Sequence, residues 1–478
     1  MSTSDFIRRV DLGPINALAL LSCVASLLTA NPLETAWATG TLYVTIKLFW
    51  WQRVPAVFLV VAVLPWLEVH TNVFEANFHG IGLNGLYASG TGKKTFWLAS
   101  CGYLAVISGF YLGIRKRISD LNSKLVFFED TIHQLNQLRI LAFIILFQII
   151  EGLVGNLFGW GSALRQIETY LAGIRIVLML VFFVHFFVTK QRGWLVWSFF
   201  LFELAISFYS YFGTWKLLLI LFMLGAIAQI RRIRLKEMLL YLPLFFGIFF
   251  LTFLWQSIKM DYRMTLSNEE RIQAVKISKT EALNAFVDLS QRALDFSTDE
   301  QQTVVNETLR RVGYLEYYSG VVKNVPEKID HLNGSLLWES LTFALIPRIL
   351  NPDKGIKNDV AKVERFTDHR FGPNTYASFS LGHYCEAYID WGPIGSLLHL
   401  FCYGLLGAWI TGVTIRRARK MQPLMVWGLL FVTLRPWGTM QQDAVSVFGQ
   451  LFWNGICQLI LFLPIYLWIS KAITPGKG

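Results

Sequence analysis

The stretch from Gly392 to Lys420, GPIGSLLHLFCYGLLGAWITGVTIRRARK, decides the fold class. It carries no charged residue from Gly392 to Ile415, and four basic residues follow at once. About 20 apolar residues cross the hydrocarbon core of a bilayer as a helix, and basic residues concentrate at the cytoplasmic end of such spans. The stretch therefore predicts a membrane-spanning helix over about residues 392–414 that ends in the cytoplasm.

The rest of the chain has a similar character. Of its 478 residues, 54% are hydrophobic and 16% are charged, and long apolar runs recur along it. We therefore predict an all-α polytopic membrane protein with about 12 transmembrane helices. The predicted spans lie at about residues 12–31, 34–50, 54–70, 96–114, 139–158, 168–188, 193–212, 214–230, 237–257, 392–414, 421–436 and 446–470. In such a protein the net charge of +11 reflects membrane orientation and does not require nucleic-acid binding.

Basic clusters predict the orientation of these spans. They follow spans 4, 6, 8 and 10, or precede span 1. They are Arg115–Arg117, Lys190 with Arg192, Arg231–Lys236, Arg416–Lys420 and, before span 1, Arg8 with Arg9. A cytoplasmic N-terminus places every cluster on the cytoplasmic side. The C-terminus is then cytoplasmic too, and the loops after odd-numbered spans face outward.

One outward loop is much longer than the others. It covers residues 258–391 and separates spans 1–9, in residues 1–257, from spans 10–12, in residues 392–478. A large insertion on one face of a helical scaffold usually carries function. Within it, Leu336–Ile346 is too short to span a bilayer. This segment is predicted to form either an interfacial or re-entrant helix, or a helix of the loop's own core.

Several separate segments bring a cation to the outer boundary of the membrane. These cations are Lys216, Lys259, Arg263, Arg310, Arg311, Arg348, Lys354, Arg370 and Arg435. Arginine binds phosphate oxygens bidentately and lysine adds a point charge. Their convergence predicts an anion site at the level of the outer headgroups. The alternative is that each is an interfacial cation whose stem lies along apolar surface while its charge reaches water.

Titratable groups occur at the predicted mouth of span 10. The stretch Phe379–Trp391, FSLGHYCEAYIDW, contains His383, Glu386 and Asp390 at helical spacing. A carboxylate in a partly dry site, or a histidine near its ordinary pKa, can take a proton from a sugar hydroxyl. Either Glu386 or His383 is therefore a candidate general base, unless Glu386 pairs structurally with an arginine.

Charged residues also lie inside predicted spans. They are Lys47, Glu151, Arg175 and Glu203. Intramembrane charges are functional candidates by default, but no chain of acids accompanies them, and a structural pair between Arg175 and Glu151 is favoured over ion transport. The five cysteines are scattered, and no nucleotide-binding or metalloprotease motif is present. We expect no metal or cofactor, and any glycosyl donor is expected to be borne on a lipid.

Four local motifs carry a resemblance to a known family. They are Gly-x-x-Lys at Gly213–Lys216, the pair Tyr262-Arg263, the proline-flanked Ile346–Lys354, and Gly-x-x-x-Glu-x-Tyr-x-x-x-Gly-x-x-Gly from Gly382 to Gly395. With about twelve spans and one large outward loop late in the chain, the sequence resembles the Wzy-type polymerases of bacterial O-antigens and exopolysaccharides. The topology covers nearly the whole chain, and the motifs lie mostly within residues 213–395.

The resemblance implies a metal-independent, inverting glycosyltransferase of the GT-C type in the bacterial inner (cytoplasmic) membrane. Its donor would be a growing glycan on undecaprenyl diphosphate, and its acceptor would be a lipid-linked repeat unit. Glu386 or His383 would act as general base. The cations that would neutralise the departing diphosphate are Arg310, Arg311, Arg348 and Arg435. A flippase and a chain-length co-polymerase would be its partners.

Three other activities stay open at this point. An O-antigen ligase would use the same donor with a different acceptor. A lipid-linked glycan flippase or another transporter would need charges lining a cavity at the midplane. A membrane acyltransferase would use a histidine such as His383 as its base. The concentration of cations at the outer rim favours the polymerase over the transporter.

Overall fold

The computed structural model describes residues 9–51, 55–125, 131–157, 166–209, 215–268, 275–295, 298–346, 351, 359–371 and 380–474. Within these ranges the chain is helical, and the only β-type pairings are two isolated bridges, Arg9 with Trp51 and Asp11 with Arg232. The predicted all-α fold is therefore confirmed.

Nineteen α-helices are described in these ranges. The first ten are α1 (Gly13–Ala25), α2 (Pro32–Phe49), α3 (Val57–Phe78), α4 (Leu83–Leu86), α5 (Gly92–Leu125), α6 (Gln137–Leu157), α7 (Gln166–Thr189), α8 (Gly193–Phe208), α9 (Trp215–Ala228) and α10 (Leu235–Leu266). The others are α11 (Lys279–Leu294), α12 (Thr298–Val312), α13 (Glu316–Asn324), α14 (Ser335–Leu345), α15 (Asp359–Phe366), α16 (His383–Arg417), α17 (Pro423–Leu434), α18 (Ala444–Gly449) and α19 (Leu463–Ile473).

Several helices are suited to a lipid bilayer. Among the described residues, six helical segments are long and apolar enough to cross a membrane: Val57–Phe78, Gly92–Arg115, Gln137–Val154, Ile167–Thr189, His383–Arg417 and Ala444–Leu461. Shorter apolar helices accompany them, and each predicted span overlaps helical residues. The chain is a helical membrane protein, while the count of twelve spans stays a prediction.

Helices α5 and α16 pack closely against each other. A Cβ atom on Gly109 of α5 would lie 2.2 Å from the carbonyl oxygen of Phe401, and one on Gly404 of α16 would lie 2.1 Å from that of Val106. The two backbones are thus in direct contact. Small residues allow this approach, which gains packing between helices that have no hydrophobic drive to associate in lipid.

We expect Gly109→Leu to separate this pair, because the new side chain would meet the Phe401 backbone. The overpacking should lower the free energy of unfolding by about 2 kcal/mol. Thermal unfolding of the purified protein in detergent would measure this. The matched control is Gly152→Leu in α6, where a Cβ meets no atom within 4 Å. Equal unfolding temperatures for the two variants would contradict the expectation.

Helix α16 consists of two arms that fold back on each other. Gly392 has a φ of 66°, outside the helical region, and Pro393 begins the second arm. His383 and His399 are 16 residues apart, yet their Nε2 atoms are 3.1 Å apart. A straight helix would separate these residues by about 24 Å. The short arm, His383–Trp391, therefore runs alongside the start of the long arm, Pro393–Arg417.

This fold-back confirms one expectation and corrects another. The long arm begins where span 10 was predicted to begin. The stretch before it, however, does not sit at the mouth of the span. The turn at Gly392 is the tip at which the two arms meet, and His383 lies about two helical turns further along the long arm towards its basic end.

The large loop packs onto the membrane bundle. Helix α12 contacts α3, α13 contacts α5, and α14 contacts α16 and α18. The predicted short helix at Leu336–Ile346 is present as α14. Asp390 of the short arm accepts hydrogen bonds from the backbone N–H groups of Leu336 (3.0 Å) and Leu337 (2.7 Å) at its N-terminus. Asp390, predicted as part of a titratable face, is thus a helix-capping residue.

Candidate functional site

Three distant segments meet in one buried charged cluster. Lys362 of α15 donates from Nζ to Glu386 Oε1 of the short arm at 2.8 Å, and Asp443 Oδ2 lies 3.8 Å from the same Nζ. Glu386 Oε2 accepts from the Ala444 backbone N–H at 2.6 Å. The two carboxylate residues are 3% and 1% exposed. Lys362, Glu386 and Asp443 are hereafter the Lys362 cluster, in which two carboxylates share one ammonium.

Lys362 stays protonated in this cluster. Burial lowers the pKa of its ammonium, but the negative charge of Glu386 and its hydrogen bond, with Asp443 and Asp359 adding to them, raise the pKa above the ordinary value for lysine. With both carboxylates ionised, the cluster has a formal charge of −1. Uncompensated negative charge in a buried place favours the uptake of a proton.

A close approach of two backbone segments builds this cluster. Gly382 has a φ of 83°, and a Cβ there would lie 2.2 Å from the carbonyl oxygen of Met440. The backbone N–H of His383 donates to the Gln442 carbonyl at 2.7 Å. Only glycine fits at position 382 without strain. The short arm is therefore fixed against the segment that carries Asp443.

Glu68 of α3 holds the other side of that segment. Its carboxylate accepts hydrogen bonds from the backbone N–H groups of Met440 and Gln441 and from the Thr439 hydroxyl. Its own carbonyl accepts from the backbone N–H of Tyr314 at 2.8 Å, which ties in the large loop. Glu68 thus joins the bundle, the loop and the segment 439–443.

A pair of histidines lies beside the short arm. His383 and His399 share a hydrogen bond between their Nε2 atoms, and the ring of Tyr403 is 4.8 Å from that of His383. His383 is 2% exposed. Its Nδ1 has no hydrogen-bond partner among the described residues. The pair can hold a shared proton, with one ring donating and the other accepting.

Arg435 follows the last residue of α17 and begins a short turn that is hydrogen-bonded to Tyr403, a neighbour of His383. The Tyr403 hydroxyl donates to the Pro436 carbonyl at 3.2 Å, and Trp437 Nε1 donates to the Tyr403 carbonyl at 3.0 Å. These bonds fix the turn that Arg435 begins. The Arg435 side chain is exposed, and it makes no hydrogen bond or ion pair with any residue that the structure describes. Its five N–H donors are available for an anion.

One comparison with known proteins assigns a family. A family model described as a domain of unknown function, DUF8712, matches residues 94–416. The chain belongs to the DUF8712 family. No curated protein matches it, and no solved structure matches it. The match runs from α5 to the end of α16, so it includes Lys362 and Glu386 but not Asp443 or Arg435.

The other predicted cations of this DUF8712 protein lie in different surroundings. Arg310 contacts Glu75 through Nε at 3.4 Å, and its side chain is 51% exposed. Arg370 donates from Nη1 to the backbone carbonyls of Glu364, Thr367 and His369, so it closes the end of α15. Arg370 thus has a structural role in this fold.

The remaining predicted cations do not add to the described site. Lys216 is exposed, with its Nζ 5.7 Å from the ring centre of Trp215. Lys259 and Arg263 lie half-buried on α10, whose main packing partners are α11 and α12. Arg348, Lys354 and the side chain of Arg311 lie outside the described residues. Of the predicted cations in the described parts of the chain, only Arg435 belongs to a turn that is hydrogen-bonded to Tyr403, whose ring contacts His383.

The predicted intramembrane pair is present in this DUF8712 protein. Arg175 Nε lies 2.9 Å from Glu151 Oε2, which confirms the pairing of α7 with α6. Arg175 Nη1 also lies 3.3 Å from Glu203 Oε2 on α8. The arginine therefore joins three apolar helices, and this network is separate from the Lys362 cluster.

Proposed function

We propose that this DUF8712 protein is a membrane glycosyltransferase that joins lipid-diphosphate-linked oligosaccharide repeat units at the outer face of the bacterial inner membrane. The proposal includes about twelve spans, cytoplasmic termini and an outward loop at residues 258–391. It rests on one observation above all. A residue of the large loop, Lys362, forms a buried charged cluster with Glu386 of the folded-back arm.

The proposed reaction uses the surplus negative charge of the Lys362 cluster. The acceptor hydroxyl oxygen attacks the anomeric carbon of the donor, and the bond from that carbon to the diphosphate oxygen breaks. Glu386 takes the hydroxyl proton as general base. Both Glu386 oxygens already accept hydrogen bonds, so one of these bonds must open when the acceptor binds. His383, paired with His399, is the second candidate base.

The leaving diphosphate carries the developing charge of the proposed reaction. Arg435 is the cation assigned to it, because its guanidinium is exposed and unpaired within the described chain. Arginine matches the oxygens of a phosphate bidentately. A fixed cation that meets charge as it develops stabilises the transition state more than the ground state.

The test is a size analysis of lipid-linked and surface glycans from cells with and without the gene. We expect deletion to leave single repeat units but no long chains, because polymerisation alone is lost. Long chains that persist on the carrier lipid without reaching their final acceptor would identify a ligase instead. Repeat units that accumulate only inside the cell would identify a flippase. Re-expression of the intact gene is the control.

A further inference from the structure

An apolar groove runs along the long arm of α16, away from the site described above. Its volume is about 260 Å³. It is lined by the long arm from Leu406 to Arg417 and by the segment Leu451–Ile460. Apart from Arg417, every residue that lines it is aliphatic, aromatic or glycine. The groove extends about 16 Å along the helix.

The wall of the groove opposite α16 departs from α-helical geometry. Residues Gln450–Asn454 and Cys457–Leu461 form two π-helical turns. Such turns are rare and frequently occur at functional sites. Gly455 lies between them, and a Cβ at this position would meet no atom within 4 Å. The missing side chain at position 455 leaves open the space that the groove occupies.

The groove is apolar along its length and basic at one end. Ile456 and Ile460 line it while remaining 44% and 57% exposed, as lipid-facing side chains are. Arg417 is the last residue of the long arm and is exposed, with Arg416, Arg419 and Lys420 beside it. The sequence contains no acidic residue between Asp390 and Asp443. A hydrocarbon chain with a negatively charged head matches this distribution.

We propose that this groove binds one anionic glycerophospholipid, with an acyl chain between α16 and the π-helical segment and its phosphate at Arg417. The bound lipid belongs to the leaflet that contacts the basic end of the long arm. Its head lies about 21 Å along the long arm from Tyr403, to which the turn beginning at Arg435 is hydrogen-bonded. A lipid in this position is therefore distinct from a substrate whose diphosphate reacts beside Arg435.

The experiment is a lipid titration of the purified full-length protein in detergent, read by native mass spectrometry. Phosphatidylglycerol is the anionic probe, phosphatidylcholine is the zwitterionic one, and a polyprenyl phosphate is the third. We expect one phosphatidylglycerol to remain bound under conditions that remove phosphatidylcholine. Gly455→Leu should weaken this binding about ten-fold, because its side chain takes the place of several methylenes. Arg417→Gln should weaken it about five-fold, the effect of one basic residue near an anionic lipid.

Each variant has a neighbour as its control. Gly449→Leu adds the same side chain at the last residue of α18, a glycine that also has open space around it but does not line the groove. Arg416→Gln removes the adjacent charge, which does not line the groove. Gly449→Leu should retain the lipid as the unchanged protein does, and Arg416→Gln should weaken its binding less than Arg417→Gln does. Because Arg417 is exposed, Arg417→Gln tests the proposal even if Gly455→Leu fails to fold.

Four results would overturn the proposal. They are equal retention of phosphatidylglycerol and phosphatidylcholine, binding of the polyprenyl phosphate alone, a lipid-free dimer that Gly455→Leu dissociates, and wild-type retention in both test variants. None of these results depends on glycosyl transfer, so the lipid site and the proposed activity can fail separately.

Discussion

Replacing Lys362 with methionine is expected to lower the free energy of unfolding by about 4 kcal/mol. The change removes the one ammonium that lies between Glu386 and Asp443 and leaves two buried carboxylates facing each other. An isolated buried charge cannot recover the hydration that it loses on folding. Methionine fills a similar volume without charge, so the lost free energy of unfolding comes from the missing charge and not from a cavity.

The measurement is thermal unfolding in detergent of the single variants Lys362→Met and Glu386→Gln and of the double variant. The double variant should recover part of the loss, because only Asp443 then stays charged. Lys323→Met is the matched control. Its ion pair with Asp368 is 2.8 Å long but exposed, and such pairs contribute about 0–1 kcal/mol. A loss for Lys362→Met no larger than for this control would show that the cluster does not stabilise the fold.

Glu386→Gln separates the two roles of this carboxylate. If Glu386 is the base, Glu386→Gln abolishes long-chain glycan in cells while the amount of protein in the membrane stays normal. If Glu386 is instead a structural partner of Lys362, both the long-chain glycan and the amount of protein fall. If a folded Glu386→Gln variant still makes long chains, Glu386 is not the base and His383 becomes the candidate.

Much of the fold can be predicted from the sequence because the signals are local. Apolar runs predict the positions of the helices, and the sequence Gly392-Pro393 predicts where the long arm begins, since proline suits the first turn of a helix. The short helix α14 and the pair of Arg175 with Glu151 also follow from local length and from charge in an apolar setting. Each of these features depends on a few neighbouring residues or on two adjacent spans.

The fold-back of α16 could not be predicted in this way. The segment His383–Trp391 has the same helical character whether it extends away from the span or lies beside it. The direction depends on the φ of Gly392 and on the contacts of His383 with His399 and Gln442. These contacts join residues that are distant in sequence. As a result, the three titratable groups of the stretch take three different partners instead of forming one face.

Lys362 and Asp443 were missed for a related reason. Lys362 lies in a short polar helix, Asp359–Phe366, where nothing in the local pattern distinguishes it from a solvated lysine. Asp443 caps α18 through a hydrogen bond to the Ser446 backbone N–H, and it resembles an ordinary N-cap in sequence. Shared sidedness predicted which cations face one compartment, but helix packing decides which of them are neighbours. That is why Arg435 and Arg370, both predicted for the anion site, lie in such different environments.

Arg435→Gln is expected to reduce the rate of glycan polymerisation about 10²- to 10³-fold with little change in protein stability. The side chain is exposed and has no ion-pair or hydrogen-bond partner among the described residues, so its removal leaves no buried group uncompensated. In the proposed reaction its charge is needed only as the diphosphate departs. Arg435→Lys should retain part of the activity, because it keeps the charge but loses the bidentate geometry.

The readout for Arg435 is the length of surface glycan chains in complemented deletion cells, beside the amount of protein in their membranes. Arg365→Gln is the control, since Arg365 is an exposed arginine of α15 that lies over the ring of Phe366. Short chains in Arg435→Gln cells with normal protein, and full-length chains in the control, are the expected pattern. Full-length chains in both would remove Arg435 from the diphosphate site. Loss of Arg435→Gln protein from the membrane would show that the guanidinium has a structural role.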